Sequence, residues 1–65
     1  MKIQINGQVH STRAPSIDAL VDELNIEKMS LVIEHNGTII KQGKWSETLL
    51  ADGDVLELLN FVGGG

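Results

Sequence analysis

The sequence predicts an α+β fold in which one main helix packs on one face of a mixed four- to five-stranded sheet. Three observations carry this. Apolar and polar residues alternate around Ile3 and Ile5 and again along Val55 to Val62, as they do in strands with one buried side. Between these stretches, Ile17, Leu20, Val21 and Leu24 recur at helical spacing. Two Asn-Gly pairs, Asn6-Gly7 and Asn36-Gly37, separate strand-like runs and suit the positive φ angles of tight hairpin turns. A hairpin, a helix and then further strands is the order of a helix laid against one sheet.

Taken in order, Lys2 to Ile5 forms a strand, Asn6-Gly7 turns it, and Gln8 to Thr12 returns. Val9 is the only large apolar residue of the return, which marks an edge strand. Pro15-Ser16 then opens the helix, with Ser16 as cap and Asp18 at its positive end. So short a helix is unstable alone, so its apolar stripe must lie on the sheet. Asn25 stops it, and Ile26 plugs the bottom of the core. Leu31 to His35 is a third strand, and Thr38 to Lys41 returns from Asn36-Gly37. Gly43 breaks the chain, Trp45 goes to the core, and Ser46 to Leu50 makes an irregular or 3₁₀ turn. Asp52-Gly53-Asp54 turns into the last strand, which begins at Val55. With the first and last strands parallel in the middle of the sheet, this is the β-grasp arrangement of the ubiquitin class.

The last strand also sorts its two faces. Leu56 and Leu58 share one side, and Val55, Glu57, Leu59 and Phe61 share the other. Burying Glu57 without a partner would be costly, so its side faces solvent and Leu56 and Leu58 meet the helix. Leu59 and Phe61 are then left exposed, and Glu34 orients Val32 outward in the same way. Apolar residues exposed together mark an interface.

At 65 residues the chain reads as one domain, 1–65, with a glycine tail over 62–65 and no room for a deep substrate cleft. The 42% hydrophobic and 22% charged fractions exclude disorder. With no cysteine, disulfides, thiolate nucleophiles and thiolate metal sites are excluded. A net charge of −4 argues against nucleic acid and favours a basic protein surface as partner. No long apolar run or signal peptide is evident, so a cytoplasmic protein that does not bind membranes is expected. His10 and His35 read as surface residues, Asp52 and Asp54 as turn residues, and no metal or bound cofactor is expected. No nucleophile, base or carboxylate pair suggests an enzyme.

One reactive group remains, the α-carboxylate of Gly65. It is ionised at neutral pH, with an ordinary pKa of about 3.3–3.7. Gly63, Gly64 and Gly65 carry no Cβ and thread a narrow slot. Extended, they reach roughly 10 Å beyond the folded body. A carboxylate so presented can attack the α-phosphate of ATP on another enzyme, giving an acyl adenylate open to a sulfur nucleophile.

Val62-Gly63-Gly64-Gly65 follows Asp52-Gly53-Asp54-Val55-Leu56-Glu57-Leu58, with Val32-Ile33-Glu34-His35-Asn36-Gly37-Thr38-Ile39-Ile40 upstream and Trp45 between. Over essentially the whole chain this resembles the ThiS family of ubiquitin-like sulfur carriers in thiamin biosynthesis. The resemblance implies a β-grasp protein that is a cosubstrate, not an enzyme. A ThiF-type adenylyltransferase would use ATP to adenylate Gly65. Sulfur from cysteine, delivered through a cysteine desulfurase, would convert it to a thiocarboxylate, and a ThiG-type thiazole synthase would take the sulfur. Gly64 and Gly65 match the functional diglycine. Val32, Leu59, Phe61 and Val62 would contact partners. Two other readings fit the same residues: a molybdopterin-synthase small subunit, usually longer, and a ubiquitin-like adaptor that uses no tail chemistry.

Overall fold

A computed structural model describes residues 1–60. Its elements are β1 (Lys2–Ile5), β2 (Gln8–Ser11), α1 (Ile17–Leu24), β3 (Leu31–His35), β4 (Thr38–Ile40), a 3₁₀ segment (Gln42–Glu47) and β5 (Val55–Asn60). The five strands form one sheet in the order β2-β1-β5-β3-β4. The last strand is therefore central, parallel to β1 and antiparallel to β3. β2 is an edge, as its single apolar residue foretold, and Val9 lies on the solvent side.

Each Asn-Gly turn serves two purposes. Asn6 and Asn36 both adopt φ 50°, followed by Gly7 at 83° and Gly37 at 89°, which closes both hairpins tightly. Their side chains then reach across to β5. Asn6 Oδ1 accepts from the Leu58 N–H at 2.8 Å, and its Nδ2 donates to the Leu58 carbonyl at 3.2 Å. The side chain thereby continues the hydrogen-bonding edge that β1 abandons when it turns. Asn36 Oδ1 likewise accepts from the Val55 N–H at 2.8 Å.

Helix α1 begins at Ser16, whose side chain accepts from the Ala19 N–H, and ends at Asn25 in the left-handed region. Ile17, Leu20 and Val21 face the sheet, and they pack with Ile3, Leu31, Ile33, Leu56 and Leu58 in one core. Leu24 and Ile26 border that core. Lys28 ties the loop back to the helix through Asp22 at 2.9 Å and Asp18 at 3.4 Å.

The segment after β4 departs from expectation. The 3₁₀ turn occupies Gln42–Glu47 rather than Ser46 to Leu50, and Gly43 lies inside it instead of breaking the chain. Trp45 decides this. Its ring is 1% exposed against the core, and its Nε1–H donates to the Ile40 carbonyl at 2.9 Å. A turn starting four residues later would not bring the indole down between helix and sheet. The segment packs on the helix side and does not cover Leu59.

Asp54 and His35 are also more than turn and surface residues. Asp54 is buried, and its carboxylate accepts from the Ala51 N–H at 2.9 Å, from Asn36 Nδ2 at 3.1 Å and from His35 Nε2 at 2.7 Å. Burial pushes its pKa up, but the bonds from His35, Ala51 and Asn36 outweigh this and hold it below the usual carboxylate value. A carboxylate depressed in the folded state adds stability above its unfolded pKa, which is lost as pH falls through the folded value. The protein is thus expected to lose stability on acidification below about pH 4. Asp54→Asn should flatten that part of the profile, which melting curves across acid pH would register. A variant as acid-sensitive as the parent would show that other carboxylates dominate.

Candidate functional site

The sheet has one face covered by α1 and one left open, and the strand register fixes what the open face presents. Leu58 and Ile33 pair on the covered side. One step along, Leu59 pairs with Val32 and Glu57 with Glu34 on the open side. Ile39 stands opposite Glu34 on the far side of β3. Leu59 is 54% exposed, Ile39 64% and Val55 43%, while Val32 is half-buried among its neighbours. The expected sorting of faces holds: Leu56 and Leu58 are buried, and Val55, Glu57 and Leu59 are not.

This face adjoins the point where β5 runs out. Asn60, the last described residue, pairs with Leu31 at the start of β3. Leu59 and Val32 thus form the row beside that exit, on a strand that pairs with β1 at Val55 and Leu56 and with β3 from Leu56 to Asn60. Phe61, Val62, Gly63, Gly64 and Gly65 lie outside the described residues.

Ile39 and the facing of Glu34 by Glu57 were not foreseen as part of the site. The alternation that placed Glu34 outward carried the signal for both, but pairing between strands far apart in sequence was needed to bring them together. Elsewhere, an open groove lies at the start of β1, lined by Met1, Lys2, Thr12, Arg13, Glu23 and Asp52. It is at the opposite end of the sheet from the exit of β5. Among the described residues, no group of three or more His, Asp or Glu is placed to hold a metal ion, and no helix is long and apolar enough to cross a membrane.

Leu59→Asp is expected to weaken partner binding strongly with only a modest loss of stability, since Leu59 is more than half exposed. Titration calorimetry with a partner and thermal melting of the variant alone separate the two effects. Unfolding of the variant would show that the open face is a second core.

A small ubiquitin-like β-grasp domain, with a bare apolar sheet face beside the exit of a central strand, is the class these features define. The sequence model of the ThiS family matches residues 3–65. The chain belongs to the ThiS family. It is 32% identical over 65 residues to the sulfur carrier protein ThiS of Bacillus subtilis, covering 97% of this chain and 98% of that one. It is also 33% identical to a thiazole synthase of Paramagnetospirillum magneticum, and there the match takes in all of this chain but only 20% of the relative. A thiazole synthase of Magnetococcus marinus is matched in the same way at 29% identity, so the chain spans about a fifth of these two relatives. Among solved structures, the thiamine biosynthesis protein ThiS of Geobacter metallireducens superposes with a TM-score of 0.84 at 26% identity, covering both chains in full.

Proposed function

We propose that this chain is a sulfur carrier of thiamin biosynthesis whose working group is the carboxylate of Gly65. The observation that carries the reading is the family match over residues 3–65, which runs through the whole glycine stretch. The chemistry follows from that group. A carboxylate oxygen of Gly65 attacks the α-phosphorus of ATP on a ThiF-type adenylyltransferase, and pyrophosphate leaves. A persulfide, loaded by a desulfurase with sulfur from cysteine, then displaces AMP to give an acyl disulfide. A second thiol attacks the outer sulfur of that disulfide, forming a new disulfide with it and releasing the sulfur bonded to Gly65. The product is a thiocarboxylate with one oxygen of Gly65 replaced by sulfur.

The thiocarboxylate passes to a ThiG-type thiazole synthase, which incorporates its sulfur in the thiazole. Two thiazole synthases that contain a stretch resembling this whole chain support that choice of acceptor, because domains joined in one polypeptide are held at high mutual concentration. On this reading the carrier supplies no catalytic side chain. Val32 and Leu59, with Phe61 and Val62, dock it, and Gly63 and Gly64 let the end of the chain enter the partner's active site.

Intact mass spectrometry after incubation with the adenylyltransferase, ATP and a sulfur donor tests the proposal. A gain equal to one oxygen replaced by sulfur is expected. An unchanged mass with enzymes that modify a control carrier would overturn it.

A further inference from the structure

We propose that the open sheet face holds an arginine of the thiazole synthase, its guanidinium seated between Glu34 and Glu57 within a collar of Val32, Leu59, Ile39 and Val55. The inference rests on the docking reading above and names the chemistry that the docked enzyme must bring.

The open face carries a local electrostatic cost. Glu34 and Glu57 are directly opposite in the β3–β5 ladder. Directly opposed residues have Cβ atoms about 4.5–5.5 Å apart, and like charges at that spacing destabilise a sheet. Among the described residues neither glutamate takes part in an ion pair. The ion pairs there join Lys28 to Asp18 and Asp22, His35 to Asp54, and Lys44 to Glu47. Residues 61 to 65, Phe-Val-Gly-Gly-Gly, contain no basic side chain that could offset them. Departures from local consistency of this kind concentrate at functional sites.

The surroundings then select the occupant. Val32 and Leu59 form the row on one side of the two carboxylates, Ile39 lies beside Glu34, and Val55 precedes Glu57 on the same face of β5. A partner that closes on this collar excludes water from the glutamates. An apolar partner surface alone would strand two uncompensated carboxylates, which is strongly unfavourable. A partner cation at the centre removes both the repulsion and the desolvation cost. Arginine suits the position better than lysine, because its planar fork directs several N–H donors at two carboxylates at once and is more weakly hydrated.

Calorimetric titration of the full chain into isolated thiazole synthase, at low and high salt, tests this with Glu34→Gln, Glu57→Gln and the double variant. Each single change is expected to weaken binding about tenfold. The double variant should also lose most of the salt dependence, as a screened charge contact is removed. Each variant alone should melt at a higher temperature than the parent, because the opposed charges are relieved. Affinity falling while stability rises is a combination that a merely structural role does not produce. If the double variant binds like the parent while Leu59→Asp abolishes binding, docking on this face stands and the arginine is refuted. Weaker binding together with lower melting temperatures would refute it too, by making the glutamates structural. If neither the glutamate variants nor Leu59→Asp alters binding, the docking reading falls with it.

Discussion

Deleting Gly65 is expected to abolish thiocarboxylate formation while leaving the melting temperature of the protein unchanged. The reason is geometric. Removing one residue withdraws the carboxylate by about 3.3–3.6 Å, and the reacting phosphorus, held by the activating enzyme, does not follow. Misplacement of a reacting group by as little as about 1 Å can cost a hundredfold in rate. A loss of at least about two orders of magnitude in the initial rate is therefore expected. Stability is expected to be unaffected because Gly65 has no side chain to pack, and the core among the described residues is built from residues between Ile3 and Leu58. The shortened protein keeps its sheet face and should compete with the intact carrier for the synthase. Intact mass, a melting curve and a competition assay examine the three parts of the expectation. A shortened protein that still gains sulfur would show that the chemistry is not tied to Gly65. A ubiquitin-like adaptor without tail chemistry would lose nothing on the same deletion.

The largest effect on stability is expected from Trp45→Ala. The indole is the largest of the fully buried side chains, and it joins the 3₁₀ segment to the helix and sheet. Its removal should cost about 3–5 kcal/mol from lost burial and the cavity left behind. The Ile40 carbonyl also loses the indole N–H. A domain of this size has a total stability of roughly 3–10 kcal/mol at about 0.05–0.15 kcal/mol per residue, so the variant should sit near the edge of folding. Urea denaturation of Trp45→Ala beside Trp45→Phe separates the contributions, since phenylalanine restores much of the packing but not the donor. A cost under about 1 kcal/mol for the alanine variant would contradict the burial described above.

These two expectations concern different parts of the molecule, and they differ in how readily each was read. The glycine run and the hairpin turns depend only on neighbouring residues: absent Cβ atoms and the tolerance of Asn-Gly for positive φ. The helix from Ile17 to Leu24, with Ser16 and Asn25 at its ends, is legible for the same reason. So is the sorting of β5 into a buried side with Leu56 and Leu58 and an open side with Leu59, because alternation is a local property and one mid-strand glutamate sets its sense.

The parallel pairing of the first and last strands was legible in the order of elements, but the register and side-chain contacts across long separations were not. Asn6 bonds to Leu58, 52 residues away, and His35 to Asp54, 19 residues away. Both contacts exist because β5 is inserted between β1 and β3, and that order follows from burying one continuous core rather than from any short motif. The position of the 3₁₀ turn was likewise decided by where the Trp45 ring finds its slot. Ile39 joined the open face only once β4 was in register with β3. By itself, then, the sequence determined the turns, the helix and which side of each strand is apolar, since these depend on side-chain chemistry within a few residues. Only the tertiary structure decided that Glu34 faces Glu57 beside Leu59, because register between distant strands is settled by packing of the whole core.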